Sequence, residues 1–143
     1  GTHAGRLVSL YVLNGEQAWS VAGGALGPVW PAGGSVFYVS DDNALVRRDA
    51  ATGAPIWSTP LPGYRPTRNP ARQRDAAFVN HGPVLAGGRL FVAGSDGVLR
   101  AFDPEDGGER GRTDIPGGST TRPVVADGTL YVVSRDGDLL AYR

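Results

Sequence analysis

Short alternating apolar runs, separated by small or acidic corners, fill this chain. Three stretches align: GGSVFYVSDDNALVRRD at 33–49, GGRLFVAGSDGVLRAFD at 87–103 and DGTLYVVSRDGDLLAYR at 127–143. Each holds a small turn, an apolar run, an Asp-Asn or Asp-Gly pair, and a second apolar run. Asp42, Asp96 and Asp136 fall at equivalent places, 54 and 40 residues apart. Side chains along a strand alternate between its two faces. In 35–40 this sends Val36 and Tyr38 one way and Phe37 and Val39 the other, so both faces are apolar. That pattern fits a sheet covered on both sides. A two-layer sandwich more often keeps one polar face.

A fourth, partial copy, GRLVSLYVLNGEQAW at 5–19, opens the chain. Its Trp19 follows Gly15 by four residues, as Trp57 follows Gly53. A unit of about 40 residues holding four short strands is what a propeller blade requires. In the best-defined unit, strands a to d are expected at 27–31, 35–40, 44–49 and 55–60. The pairs Asp42-Asn43, Asp96-Gly97 and Asp136-Gly137 suit tight b–c turns, because Asn and Gly accept positive φ cheaply. Thr52-Gly53 makes the c–d turn. A rigid indole just past that turn buries a large area where one blade meets the next. Trp19 and Trp57 are therefore read as inter-blade residues.

The predicted architecture is all-β: a partial β-propeller of four-stranded antiparallel blades, a little over three in number. Residues 1–24 end one blade, 25–63 form a full blade and 64–81 form an Arg-rich insertion between blades. Residues 82–118 form a second full blade and 119–143 a last, incomplete one. Three blades cannot close a ring, and two sheet faces would be left bare. The remaining blades are expected from the same parent chain or from a second copy. A first residue that is Gly, in a chain without Met, fits a fragment or a processed form.

Composition then narrows the chemistry. The 143 residues are 41% hydrophobic, enough for a packed core. Basic and acidic residues balance at 14 each, every base being Arg. No whole-chain field therefore draws nucleic acid or an anionic membrane. The absence of Cys removes disulfides, thiolate nucleophiles and zinc–thiolate sites. No run of ~18 apolar residues exists to span a bilayer. A phosphate loop needs Lys, which is missing. The run AGSDG at 93–97 comes nearest to a nucleophile elbow but has Ala in place of the first Gly. His3 and His81 have no partner four residues away. Asp41-Asp42-Asn43 and Asp136-Gly137-Asp138 begin like calcium loops, but no twelve-residue ligand pattern follows. No catalytic, cofactor-binding or metal residue is assigned.

The repeat resembles that of the PQQ-like (pyrroloquinoline-quinone-type) β-propeller family, Gly-x-Leu-x-Ala-x-Asp-x-x-Thr-Gly-x-x-x-Trp. NALVRRDAATGAPIW keeps Leu45, Asp49, Thr52, Gly53 and Trp57, with Asn43 for Gly and Arg47 for Ala. GVLRAFDPEDGGERG keeps Gly97, Leu99, Ala101, Asp103 and Gly107, with Asp106 for Thr and Gly111 for Trp. The opening copy keeps Gly5, Leu7, Gly15 and Trp19, with Tyr11 for Asp and Asn14 for Thr. Within the family, the closing run from Gly82 is similar to scaffolds of outer-membrane β-barrel protein assembly. That resemblance implies a non-catalytic lipoprotein of the periplasm, associated with the outer membrane and binding a barrel-assembly component. It implies no cofactor and no nucleic acid. The alternative is a fragment of a PQQ-dependent quinoprotein dehydrogenase. Such relatives use an Asp base, calcium and often adjacent cysteines, and no residue here takes over those roles.

One segment departs from the repeat. LPGYRPTRNPARQRDAAFVNH at 61–81 lengthens the spacing from about 40 residues to 54. It carries Arg65, Arg68, Arg72 and Arg74 against a single Asp75, and PARQRDAAF can form a short helix with Pro70 in its first turn. Strand alternation puts this loop on the face of the b–c turns. Arg offers bidentate bonds to carboxylates, and long loops on rigid scaffolds often carry recognition. Two readings stand here: a solvated, variable loop, or a partner-docking set formed by Arg65, Arg68, Arg72 and Arg74.

Overall fold

The computed structural model describes residues 5–65 and 77–143. Thirteen strands follow one another in chain order among them. They are β1 (Arg6–Leu10), β2 (Gln17–Ala22), β3 (Trp30–Ala32), β4 (Ser35–Val39), β5 (Ala44–Asp49) and β6 (Pro55–Pro60). Then come β7 (Asn80–Ala86), β8 (Arg89–Gly94), β9 (Val98–Phe102) and β10 (Glu109–Asp114). Last come β11 (Val124–Ala126), β12 (Thr129–Val133) and β13 (Leu139–Tyr142). Within each sheet, strands adjacent in sequence pair antiparallel. The result is a pair β1-β2, two four-stranded sheets β3-β4-β5-β6 and β7-β8-β9-β10, and a three-stranded sheet β11-β12-β13. The chain is all-β, as the alternation implied.

The core lies between the sheets. Leu7, Tyr38 and Val46 pack with Trp19 and Val21 where the first sheet meets the second. Phe37, Val39, Leu45 and Leu61 of the second sheet meet Leu90, Val92 and Phe102 of the third. Ala93, Leu99 and Ile115 of the third meet Leu130 and Val132 of the last. Strand β4 thus feeds Tyr38 to one neighbour and Phe37 and Val39 to the other, which is why both of its faces are apolar.

Strand a of the second sheet differs from expectation. It is an isolated bridge of Ala25 with Ser40, then a gap, then β3 at Trp30–Ala32. Pro28 stands in the gap and has no N–H for the ladder. The corresponding strand β7 contains Pro83 and stays continuous only through a register shift between His81 and Val84.

Candidate functional site

The residues singled out by sequence lie on two opposite faces. One face carries the a–b and c–d turns. The c–d turn closes the same way three times: the N–H groups of Gly15, Gly53 and Gly107 donate to the carbonyls of Tyr11, Asp49 and Asp103 at 2.8, 2.9 and 2.9 Å. Asp49 also accepts the Thr52 hydroxyl and backbone N–H, both at 2.8 Å. These bonds, the hydroxyl foremost, hold its carboxyl below the ordinary 3.8. Asp103 is lowered too, chiefly by the backbone N–H of Glu105.

Two of these turns receive the tryptophan of the preceding blade. The Trp19 indole donates to the carbonyl of Ala50 at 3.0 Å. The Trp57 indole donates to the carbonyl of Pro104 at 3.1 Å. Arg47, legible in sequence only as a departure from the family's Ala, crosses the same boundary. Its Nη1 reaches the Pro104 carbonyl at 2.9 Å and Glu105 Oε2 at 3.0 Å. Its guanidinium carbon sits 5.7 Å from the centroid of the Phe37 ring.

The opposite face carries the b–c turns. Asn43, Gly97 and Gly137 have φ of +55°, +91° and +89°. Their N–H groups donate to the carbonyls of Ser40, Gly94 and Ser134 at 3.1, 3.2 and 3.2 Å. This is a type I turn closed by a residue in the left-handed region. Asp42 and Asp136 occupy exposed turn positions. Asp96 does not: it pairs with Arg100 at 2.5 Å, with side chains 10% and 7% exposed. Sequence gave the three Asp one role and overlooked Arg100. The signal was a charge at the place of Val46 and Leu140, inside an apolar run.

The insertion leaves from this second face. The Leu61 N–H donates to the Asn43 carbonyl at 2.8 Å, and the Ser95 N–H donates to the Val79 carbonyl at 2.8 Å. Its stem is closed by a bridge between Tyr64 and Ala77 and by the Phe78 N–H on the Gly63 carbonyl at 2.8 Å. Arg65 is exposed and lies 5.9 Å from the centroid of Phe78. Beneath the stem, buried Asn80 donates to Asn43 Oδ1 at 3.2 Å and to the Pro62 carbonyl at 2.9 Å. Asn80 Oδ1 has no partner among the described residues. Arg68, Arg72 and Arg74 lie outside the described residues, as does most of the expected helix over 70–78. Ala77 and Phe78, at its end, are not helical.

His81, half-buried in β7, has its pKa lowered from 6.5 because burial penalises the imidazolium. Among the described residues, no group of three or more His, Cys, Asp and Glu could hold a metal ion. No helix among them is long and apolar enough to cross a membrane.

Sheets stacked face to face, with indoles of one blade seated on turns of the next, define part of a PQQ-like β-propeller. A family model described as outer membrane protein assembly factor BamB matches residues 1–59 and 66–143, and the chain belongs to that family. It is 29% identical to the BamB of Yersinia pestis over 134 residues, 87% of this chain and 33% of that protein. It therefore spans about a third of that relative's length. The crystal structure of BamB from Moraxella catarrhalis matches with a TM-score of 0.75 and 22% identity, covering 99% of this chain and 41% of that one. Quinohemoprotein alcohol dehydrogenase from Comamonas testosteroni matches with a TM-score of 0.68 and 14% identity, over 89% of this chain and 26% of that one. At such identities these two structures share the fold alone.

Proposed function

We propose that this chain is part of a non-catalytic scaffold for outer-membrane β-barrel assembly. In this reading its parent is a periplasmic lipoprotein associated with the outer membrane. The b–c turn face, with the loop between the second and third blades, docks a barrel-assembly component. The reading rests on the family match over residues 1–59 and 66–143. Two features of the chain support the choice of face. The loop stem is fixed to rigid turns, and it presents an exposed Arg against Phe78. A fixed base lowers the ordering cost of recognition, and Arg matches carboxylates on a partner. Arg68, Arg72 and Arg74 extend the basic set by sequence.

The test is co-purification of the full-length parent with the barrel-assembly machinery from detergent-solubilised membranes. Replacing Arg65, Arg68 and Arg72 by Glu should weaken retention severalfold, and more so at low salt. Unchanged retention would remove the docking loop from the reading. Failure of the unmutated parent to co-purify, joined to saturable binding of the quinone with calcium, would replace the scaffold by the dehydrogenase.

A further inference from the structure

The third and fourth sheets meet differently from the others. Gly111 pairs with Ala101 at the ladder position where Trp57 pairs with Arg47 one blade earlier. Trp57 lies 6.0 Å from Phe37 in ring-centroid distance. The residue matching Phe37 is Phe91, and those matching Leu45 and Thr59 are Leu99 and Thr113. Phe91, Leu99, Ala101, Gly111 and Thr113 line a cavity of 190 Å³ where the indole would stand. A second cavity of 350 Å³ shares Phe91, Leu99 and Thr113 and continues to Leu130 and Tyr142 of the last sheet. A cavity of about 150 Å³ is enough to take a benzene. A Cβ built on Gly111 meets nothing within 4 Å among the described residues. The walls are those of an indole site, and the chain supplies no indole.

One exposed cation, Arg89, stands on the cleft side. Arg89 alternates with buried Leu90, so it shares the face of Phe91 and lines the smaller cavity; Arg112 pairs with Arg100 in the ladder and Arg143 bonds Thr129, both on the faces turned away from the cleft. Arg112 pairs with Glu109 at 2.8 Å, and Arg143 donates to the Thr129 hydroxyl at 3.2 Å. Arg89 makes no ion pair among the described residues. Gly87 and Gly128 of the a–b turns place the cleft toward the face opposite the insertion.

We propose that the cleft between the third and fourth blades receives an aromatic side chain of a partner polypeptide, flanked in that partner by an acidic residue. The aromatic ring takes the space that Trp57 fills one blade earlier. A carboxylate beside the ring meets Arg89, the cation on the cleft side of β8. This site is separate from the docking loop and stands whether or not that loop binds.

The test uses the full-length parent and three short blocked peptides: Trp between two Asp, Trp between two Asn, and Ala between two Asp. Calorimetry should find the first bound about threefold tighter than the second, the size expected of exposed charge pairs. The third should not bind. Hydrogen exchange should show protection at 111–114 and 139–142 in β10 and β13 when the first peptide is present. Gly111→Trp, which fills the cleft from within, should abolish binding and raise the melting temperature. Equal binding of the two Trp peptides, no binding of either, or protection confined to other blades would overturn the proposal. Because the exchange experiment uses the unmutated protein, it decides the matter even if Gly111→Trp misfolds.

Discussion

The indole of Trp57 lies so close to Gly107 of the next blade that a Cβ on that glycine would meet Cε3 at 2.7 Å. Trp19 and Gly53 repeat the relationship at 2.8 Å. Both glycines have positive φ, +71° and +73°. The turn therefore excludes a side chain twice: once by backbone conformation and once by the ring above it. The spacing of Gly and Trp that recurs in sequence results from these demands within one blade, repeated by contact with its neighbour.

The two demands can be separated by substitution. Gly88 has φ +73° and open space for a Cβ, so Gly88→Ala pays only the conformational term, about 1–2 kcal/mol. Gly107→Ala adds displacement of a packed ring, an overpacking cost of about 1–3 kcal/mol more. Urea unfolding of both variants should show the larger loss at Gly107. Equal losses would mean that the indole yields freely and does not fix the turn.

Pro104 offers a second handle on the same boundary, because its carbonyl accepts from both Trp57 and Arg47. Trp57→Phe keeps an aromatic ring and leaves the carbonyl one donor, so it should cost about 1 kcal/mol for the lost bond. Arg47→Leu leaves the indole in place. The double variant strips both donors from a part-buried carbonyl, and its loss should exceed the sum of the single losses by about 1 kcal/mol. Strict additivity in a double-mutant cycle would show that the carbonyl finds water instead.

Asp42, Asp96 and Asp136 are equivalent in sequence and unequal in structure. Asp96→Ala strands the buried Arg100 and should cost about 3 kcal/mol, the scale of breaking one side of a buried pair. Asp42→Ala and Asp136→Ala touch exposed turn positions and should stay within about 0.5 kcal/mol. Denaturant midpoints for the three variants give the ranking directly. Three similar losses would return Asp96 to the turn role that its neighbours have.

These contrasts show what a repeat makes legible. Alternation in 35–40 and the Asp-Asn or Asp-Gly corners revealed strands, turns and stacking, because each copy satisfies the same backbone demands. Residues peculiar to one copy were harder to interpret. Arg47 and Arg100 act through partners that only the assembled sheets bring near, so a departure from the repeat was visible while its purpose was not. Gly111 was visible as a missing tryptophan, but the cleft it leaves depends on the next sheet. The start of strand a was misjudged because an apolar run does not reveal that Pro28 removes a ladder donor.

His81 supplies a pH dependence whose sign follows from burial. Its imidazole is half-buried in β7, and desolvation lowers its pKa below 6.5. The unfolded chain then takes up a proton at a pH where the folded chain still refuses it, so stability falls as pH decreases. The contribution is whole above the unfolded value near 6.5, declines as pH falls below it, and is fully lost once pH passes the folded pKa. Asp49 and Asp103, lowered from 3.8, give up their own contributions at far lower pH and do not overlap this window. Unfolding free energies measured from about pH 7.5 to about pH 5.5 should therefore decline. The same series on His81→Gln should be flatter, because Gln does not titrate. The imidazole proton resonance of His81 should titrate with a midpoint under 6.5. A midpoint at or above that value, or identical slopes for the two proteins, would show that the imidazolium is stabilised by a neighbour and that burial does not govern this group.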